Sequence, residues 1–179
     1  IYFFVTFILS TIVVQGQSDK LIKTISNQID SGNHYLYLDV NKADSFYTVA
    51  RQAAQHFEND SLIARTYVGF AVLSRLEADY PNALASHRKA LDIHLRLGDE
   101  RFVAGDYHNI GELFRYTEDF GDAKKYFLKA MDIRELMEAS NKKDSIQLII
   151  SYTEIGVIYR KLSQLDSAAY FYDKAYDFS

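Results

Sequence analysis

The feature that most constrains this chain is an internal period. Asn82-Ala83-Leu84-Ala85-Ser86-His87-Arg88-Lys89-Ala90-Leu91-Asp92-Ile93 realigns with Asp122-Ala123-Lys124-Lys125-Tyr126-Phe127-Leu128-Lys129-Ala130-Met131-Asp132-Ile133. It realigns again with Ser167-Ala168-Ala169-Tyr170-Phe171-Tyr172-Asp173-Lys174-Ala175-Tyr176-Asp177-Phe178. A weaker copy runs from Lys42-Ala43 through Tyr47 to Ala50, so the alanines at 43, 83, 123 and 168 are 40, 40 and 45 residues apart. A fixed period of this length means that one supersecondary unit is stacked on copies of itself.

Each copy is preceded by a second periodic stretch: Tyr67, Ala71, Ser74, then Tyr107, Gly111, Phe114, then Tyr152, Gly156, Tyr159. Steps of three and four put the aromatic and the small residue on one helical face. In every such unit the small residue lies 12 before the alanine of the second helix. A small residue on each of two antiparallel helices lets them approach closely while aromatics fill the groove, so these aromatics belong to the core.

The pattern predicts helices at about 19–31, 42–57, 61–78, 81–97, 101–117, 121–139, 144–162 and 166–178, with no competing strand signal. Pro81 suits a first helical position, and Gly98 suits a helix end. Asp60-Ser61, Asp99 and Asp144-Ser145 are candidate N-caps. Ser31-Gly32 is expected to interrupt the first helix.

These positions resemble the tetratricopeptide repeat family over roughly Lys20 to Ser179. The family's aromatic, small, aromatic first helix and Ala, aromatic, Ala second helix are matched by Tyr107, Gly111, Phe114, Ala123, Phe127 and Ala130. Tyr152, Gly156, Tyr159, Ala168, Tyr172 and Ala175 match as well. The unit with Tyr67, Ala71, Ala83 and Ala90 departs by carrying Ser74 and His87 at aromatic positions. The resemblance implies an all-α, right-handed solenoid of antiparallel helix pairs with about four units, its helices longer than the usual 34-residue repeat requires. It divides the chain into a degenerate N-terminal capping repeat at 17–58 and three repeats at about 61–98, 99–140 and 144–179. It also implies binding of an extended peptide or partner helix on a concave face.

Residues 1–16 stand apart. Ile1 to Val14 carries no charge, too short for the roughly 20 apolar residues that span a bilayer but suited to a secretory signal core, with Val14-Gln15-Gly16 as its cleavage site. This predicts an exported protein, periplasmic or otherwise outside the cytoplasm. The missing initial Met and the uncapped final helix read as truncation at both ends, so any membrane attachment would lie in regions outside this sequence.

Composition excludes several chemistries. With 20 Lys and Arg against 24 Asp and Glu, the net charge of -4 gives no footprint for nucleic acid. There is no Cys, so disulfides, thiolate metal sites and Cys nucleophiles are out. His34, His56, His87, His94 and His108 do not form a zinc helix motif, and His108 with Glu112 supplies only two ligands. His87 is expected to be a packed, hydrogen-bonded core ring. Phosphate loops and nucleophile elbows are absent from the sequence. The expectation is therefore a scaffold without enzymatic activity, metal or cofactor, whose partner is a protein or peptide. An exported sensory region of a longer, membrane-bound histidine kinase or transcription regulator is the alternative.

The candidate partner surface lies on the first helices, at Arg65, Arg75, His108, Glu112, Arg115 and Arg160. Arg75, Arg115 and Arg160 each follow the small residue of their helix by four. Stacked units would line them into a basic ladder suited to carboxylates. The family's Lys and Asn grip on a terminal carboxylate is unmatched beyond Asn109, which favours acidic side chains as the ligand. Solvated arginines, or arginines paired with acids such as Glu112, are the competing expectation.

Overall fold

A computed structural model describes residues 2–139 and 145–178, with side chains over 18–138 and 145–178. The described residues form eight helices: α1 (Tyr2–Tyr35), α2 (Val40–His56), α3 (Asp60–Leu76), α4 (Tyr80–Leu97), α5 (Glu100–Tyr116), α6 (Phe120–Ala139), α7 (Ser145–Lys161) and α8 (Leu165–Asp177). The side chains of the expected signal segment, and Asp144 as a cap, lie outside the described residues. No helix among the described residues is long and apolar enough to cross a membrane.

One turn is used again and again. Glu58, Ala78, Gly98, Glu118 and Ser163 all adopt a left-handed backbone, with φ between 50° and 68°. The next residue in each case sends its N–H back to close the preceding helix, as from Asp79 to Ser74 O at 2.8 Å and from Asp119 to Phe114 O at 2.9 Å. That same residue then opens the following helix. Asn59, Asp79, Asp99 and Asp119 accept side-chain hydrogen bonds from Leu62, Asn82, Phe102 and Asp122 N–H. The cap of α3 is thus Asn59, one residue before the expected Asp60-Ser61, because the residue after the left-handed one is the one held outside the helix. Only Gly98 among the five avoids the steric cost of this conformation.

The chain falls into two compact units, residues 1–69 and 70–179. In the first, α1 packs on α2. Here the expectation about Gly32 fails, since α1 runs unbroken through Ser31-Gly32. A Cβ at Gly32 would come within 2.6 Å of the Tyr47 ring, and one at Gly69 within 2.5 Å. Gly32 is therefore a packing position, and close approach offsets the roughly 1 kcal/mol that a helical Gly costs. Tyr47 is fully buried and donates its hydroxyl to Asn33 Oδ1 at 2.7 Å. Burial pushes that hydroxyl up to about 12.

In the second unit α4 packs on α5, α5 on α6, α6 on α7 and α7 on α8. The small residue and the aromatic meet as expected: a Cβ on Gly111 would lie 2.9 Å from the Phe127 ring, and one on Gly156 would lie 2.7 Å from the Tyr172 ring. Ala83, Ala123 and Ala168 are buried at the helix contacts. Stacked rings flank them, Phe114 on Tyr126 at 5.4 Å and Tyr159 on Phe171 at 5.3 Å.

Candidate functional site

On α5 the sequence from Gly111 to Tyr116 leaves Glu112 and Arg115 on the side away from the buried Ile110 and Leu113, with Tyr116 exposed at the helix end. Glu112 and Arg115, three apart, are neighbours on the helix surface. Arg115 Nη2 donates to Glu112 Oε1 at 3.0 Å, while its Nε lies 3.5 Å from Glu154 Oε2 on α7. Burial works against the Arg115 charge, but the Glu112 hydrogen bond and the fields of Glu154 and Glu112 outweigh it and raise its pKa. Glu154 is raised first by burial and further by Glu112, with Arg115 pulling the other way.

Tyr116 collects the cations. The Arg115 guanidinium carbon lies 4.9 Å from the ring centre and that of Arg75 5.7 Å. Both are within cation–π range. Tyr80 stacks on the same ring at 6.1 Å. Tyr80 also lines a cleft of about 320 Å³ with Pro81, Leu84, Leu113, Phe114 and Thr117, an almost wholly apolar lining.

The six residues picked out from sequence therefore have different surroundings. Arg75 and Arg115 are brought together over Tyr116, and Glu112 pairs with Arg115. Arg160 is exposed on α7. Arg65 belongs to the first unit, where its guanidinium reaches Asp30 Oδ1 and Ser26 Oγ, both at 3.1 Å. His108 lays its ring 5.3 Å from that of Phe127. Burial, with help from Arg134 and Arg115, lowers it to about 4, against a smaller upward pull from Glu112. It is a neutral ring at neutral pH.

Glu154, Tyr116 and the apolar cleft were not singled out from the sequence, nor were two buried polar sets. Asp106 of α5, 2% exposed, accepts from His94 Nδ1 of α4 at 2.6 Å, and its other oxygen lies 3.6 Å from His87 Nδ1. His87 is thus buried as expected, but its Nδ1 makes no hydrogen bond and stands at the edge of an acid. Arg134 of α6, 3% exposed, donates to Ser151 Oγ at 2.5 Å and to Gln147 O at 3.2 Å on α7. The signal for both was available, because His94 and Arg134 are one 40-residue period apart and Asp106 and Ser151 one 45-residue period apart. No group of three His, Asp or Glu side chains among the described residues is arranged to hold a metal ion.

A family model described as tetratricopeptide repeat matches residues 62–136. Among solved structures, aspartyl phosphate phosphatase F from Bacillus subtilis has a TM-score of 0.81 at 20% identity, over 88% of this chain and 40% of its own. The apo form of RapI gives 0.76 at 18% identity, over 88% and 56%. BtubC (BKLC) from P. vanneervenii gives 0.71 at 22%, over 78% and 56%. No curated protein matches the chain significantly. At these identities the likeness shows the fold, an all-α array of helical repeats, and this chain spans only about half the length of those structures or less.

Proposed function

We propose that this chain, a tetratricopeptide repeat protein over residues 62–136, works without catalysis by capturing an extended segment of a partner protein on the first-helix face of its second unit. The observation that carries the reading is Tyr116, 43% exposed, with Arg75 and Arg115 over its ring and an apolar cleft alongside. Tyr and Arg beside an apolar cleft are a combination that concentrates binding energy at interfaces. The segment that fits supplies one apolar side chain for the cleft and an acidic residue next to it for Arg75, with Arg160 serving a second acid further along. Arg115 acts differently from the other two. Its charge is already met by Glu112 and Glu154, so it orients the ring rather than waiting for a carboxylate. The uncharged stretch from Ile1 to Val14 supports export from the cytoplasm as the setting, and mass spectrometry of the mature product checks it.

The binding reading is tested by capture from extract with wild-type protein, with an Arg75→Ser, Arg115→Ser, Arg160→Ser triple variant, and with Tyr116→Ala. Helical circular dichroism is verified for each. Loss of the same captured proteins from both variants, with salt sensitivity in the wild type, supports the reading. Unchanged capture by Tyr116→Ala refutes it.

A further inference from the structure

The aromatic-on-small packing is chemically alike for Tyr47 on Gly32, Phe127 on Gly111 and Tyr172 on Gly156, so by itself it does not distinguish these units from one another. The buried polar positions do. On the 40- and 45-residue periods, Ala54, His94 and Arg134 are equivalent positions near the ends of α2, α4 and α6, and Thr66, Asp106 and Ser151 are equivalent positions in α3, α5 and α7. All six are 3% exposed or less. The hydrogen bonding at these positions differs from one period to the next. Thr66 donates to Ile63 O of its own helix at 2.7 Å and asks nothing of Ala54. Asp106 takes its hydrogen bond from His94, and Ser151 takes one from Arg134.

Exchanging halves opens these pairs. The helix bearing Ala54, set against the one bearing Asp106, would bury a carboxylate with no donor from that side. His94 set against Ser151 would lose its acid. An unpaired buried charge is among the costlier faults a packed interface can carry. Several charged side chains of α6 have other partners. Lys129 lies over Tyr107 and Tyr126, Lys124 over Tyr159, and Glu135 accepts from Tyr152. Arg88, Lys89, Asp92 and Arg96 of α4 are exposed.

We infer that the pairs 94/106 and 134/151 are matched keys that fix which helix packs against which, so that His94 with Asp106, and Arg134 with Ser151, select the native α4/α5 and α6/α7 pairings over exchanged ones. A single buried polar residue sets register and partner choice in this way in coiled coils, where apolar packing is degenerate.

The test uses the full chain and its thermal midpoint. Asp106→Thr alone lowers the midpoint, yet in a His94→Ala background, which installs the residue types of positions 54 and 66, the same substitution raises it. In the other joint, Arg134→His alone lowers the midpoint and adding Ser151→Asp recovers part of the loss. Should His94→Ala fail to fold, the second pair of variants still decides. If Asp106→Thr lowers the midpoint equally in both backgrounds, or Ser151→Asp brings no recovery, the pairs are ordinary core contacts and the inference is overturned.

Discussion

The α4/α5 and α6/α7 contacts of the second unit occupy the same place in successive repeats and solve the same problem with opposite charges. At the first, a buried carboxylate is held by one imidazole while a second stands 3.6 Å off. At the second, one buried guanidinium serves a hydroxyl and a backbone carbonyl. Deleting the donor therefore has unequal consequences. Without His94, Asp106 loses its close donor and keeps His87 at 3.6 Å, whereas without Arg134 the Ser151 hydroxyl, the Gln147 carbonyl and the Gln147 side chain each lose a donor. Two joints that a repeat alignment treats as equal should differ sharply in what they tolerate.

The largest expected effect follows directly. His94→Ala should cost about 3–5 kcal/mol by leaving Asp106 buried without its hydrogen bond, and Arg134→Met should cost only about 1–3 kcal/mol. Urea unfolding of the two variants measures the gap, and equal losses would break the comparison.

Acid sharpens it next. His108 lies beside Arg134 and Arg115, and its pKa in the folded chain is about 4, below the unfolded value. The unfolded chain thus binds the extra proton first as pH falls. Stability is full above about 6.5 and is lost progressively towards 4. The loss amounts to at most roughly 3 kcal/mol. His108→Asn should flatten that limb of the profile, and removing Arg134 should move the His108 resonance midpoint upward.

A smaller effect probes what the joints share. Ala123→Leu should cost about 1–3 kcal/mol by overpacking the α5/α6 contact, and an unchanged thermal midpoint would contradict the register. Smallest is Glu118→Gly, which should stabilise by up to about 1 kcal/mol because Glu118 is held at φ 60°. It tests the turn and should leave both joints untouched.

These comparisons also separate what was legible in the sequence. Gly111 with Phe127 and Gly156 with Tyr172 were readable because a helix-pair contact depends on size at fixed spacing, and size is visible in the letters. Gly32 was misjudged because helix propensity alone marks Ser-Gly as a break, while the Tyr47 ring that makes use of the glycine comes from another helix. The cap at Asn59 was missed by one residue, since the left-handed Glu58 before it carries no sequence mark as plain as Gly98. His94, Asp106 and Glu154 stayed hidden because a polar residue is assigned to the surface until its partner on a neighbouring helix is known. Of the arginines, spacing gave the place of Arg75 and Arg115, but the ring that gathers them is exposed Tyr116, one residue past the periodic face.

Photocrosslinking tests the central claim most directly. With a photoreactive phenylalanine analogue placed at 116, or at the exposed Tyr170 of α8 as a control, irradiation in extract should join a partner protein at 116 and not at 170. Crosslinking at 170 alone would contradict the assignment of the binding face to Tyr116 and its two arginines.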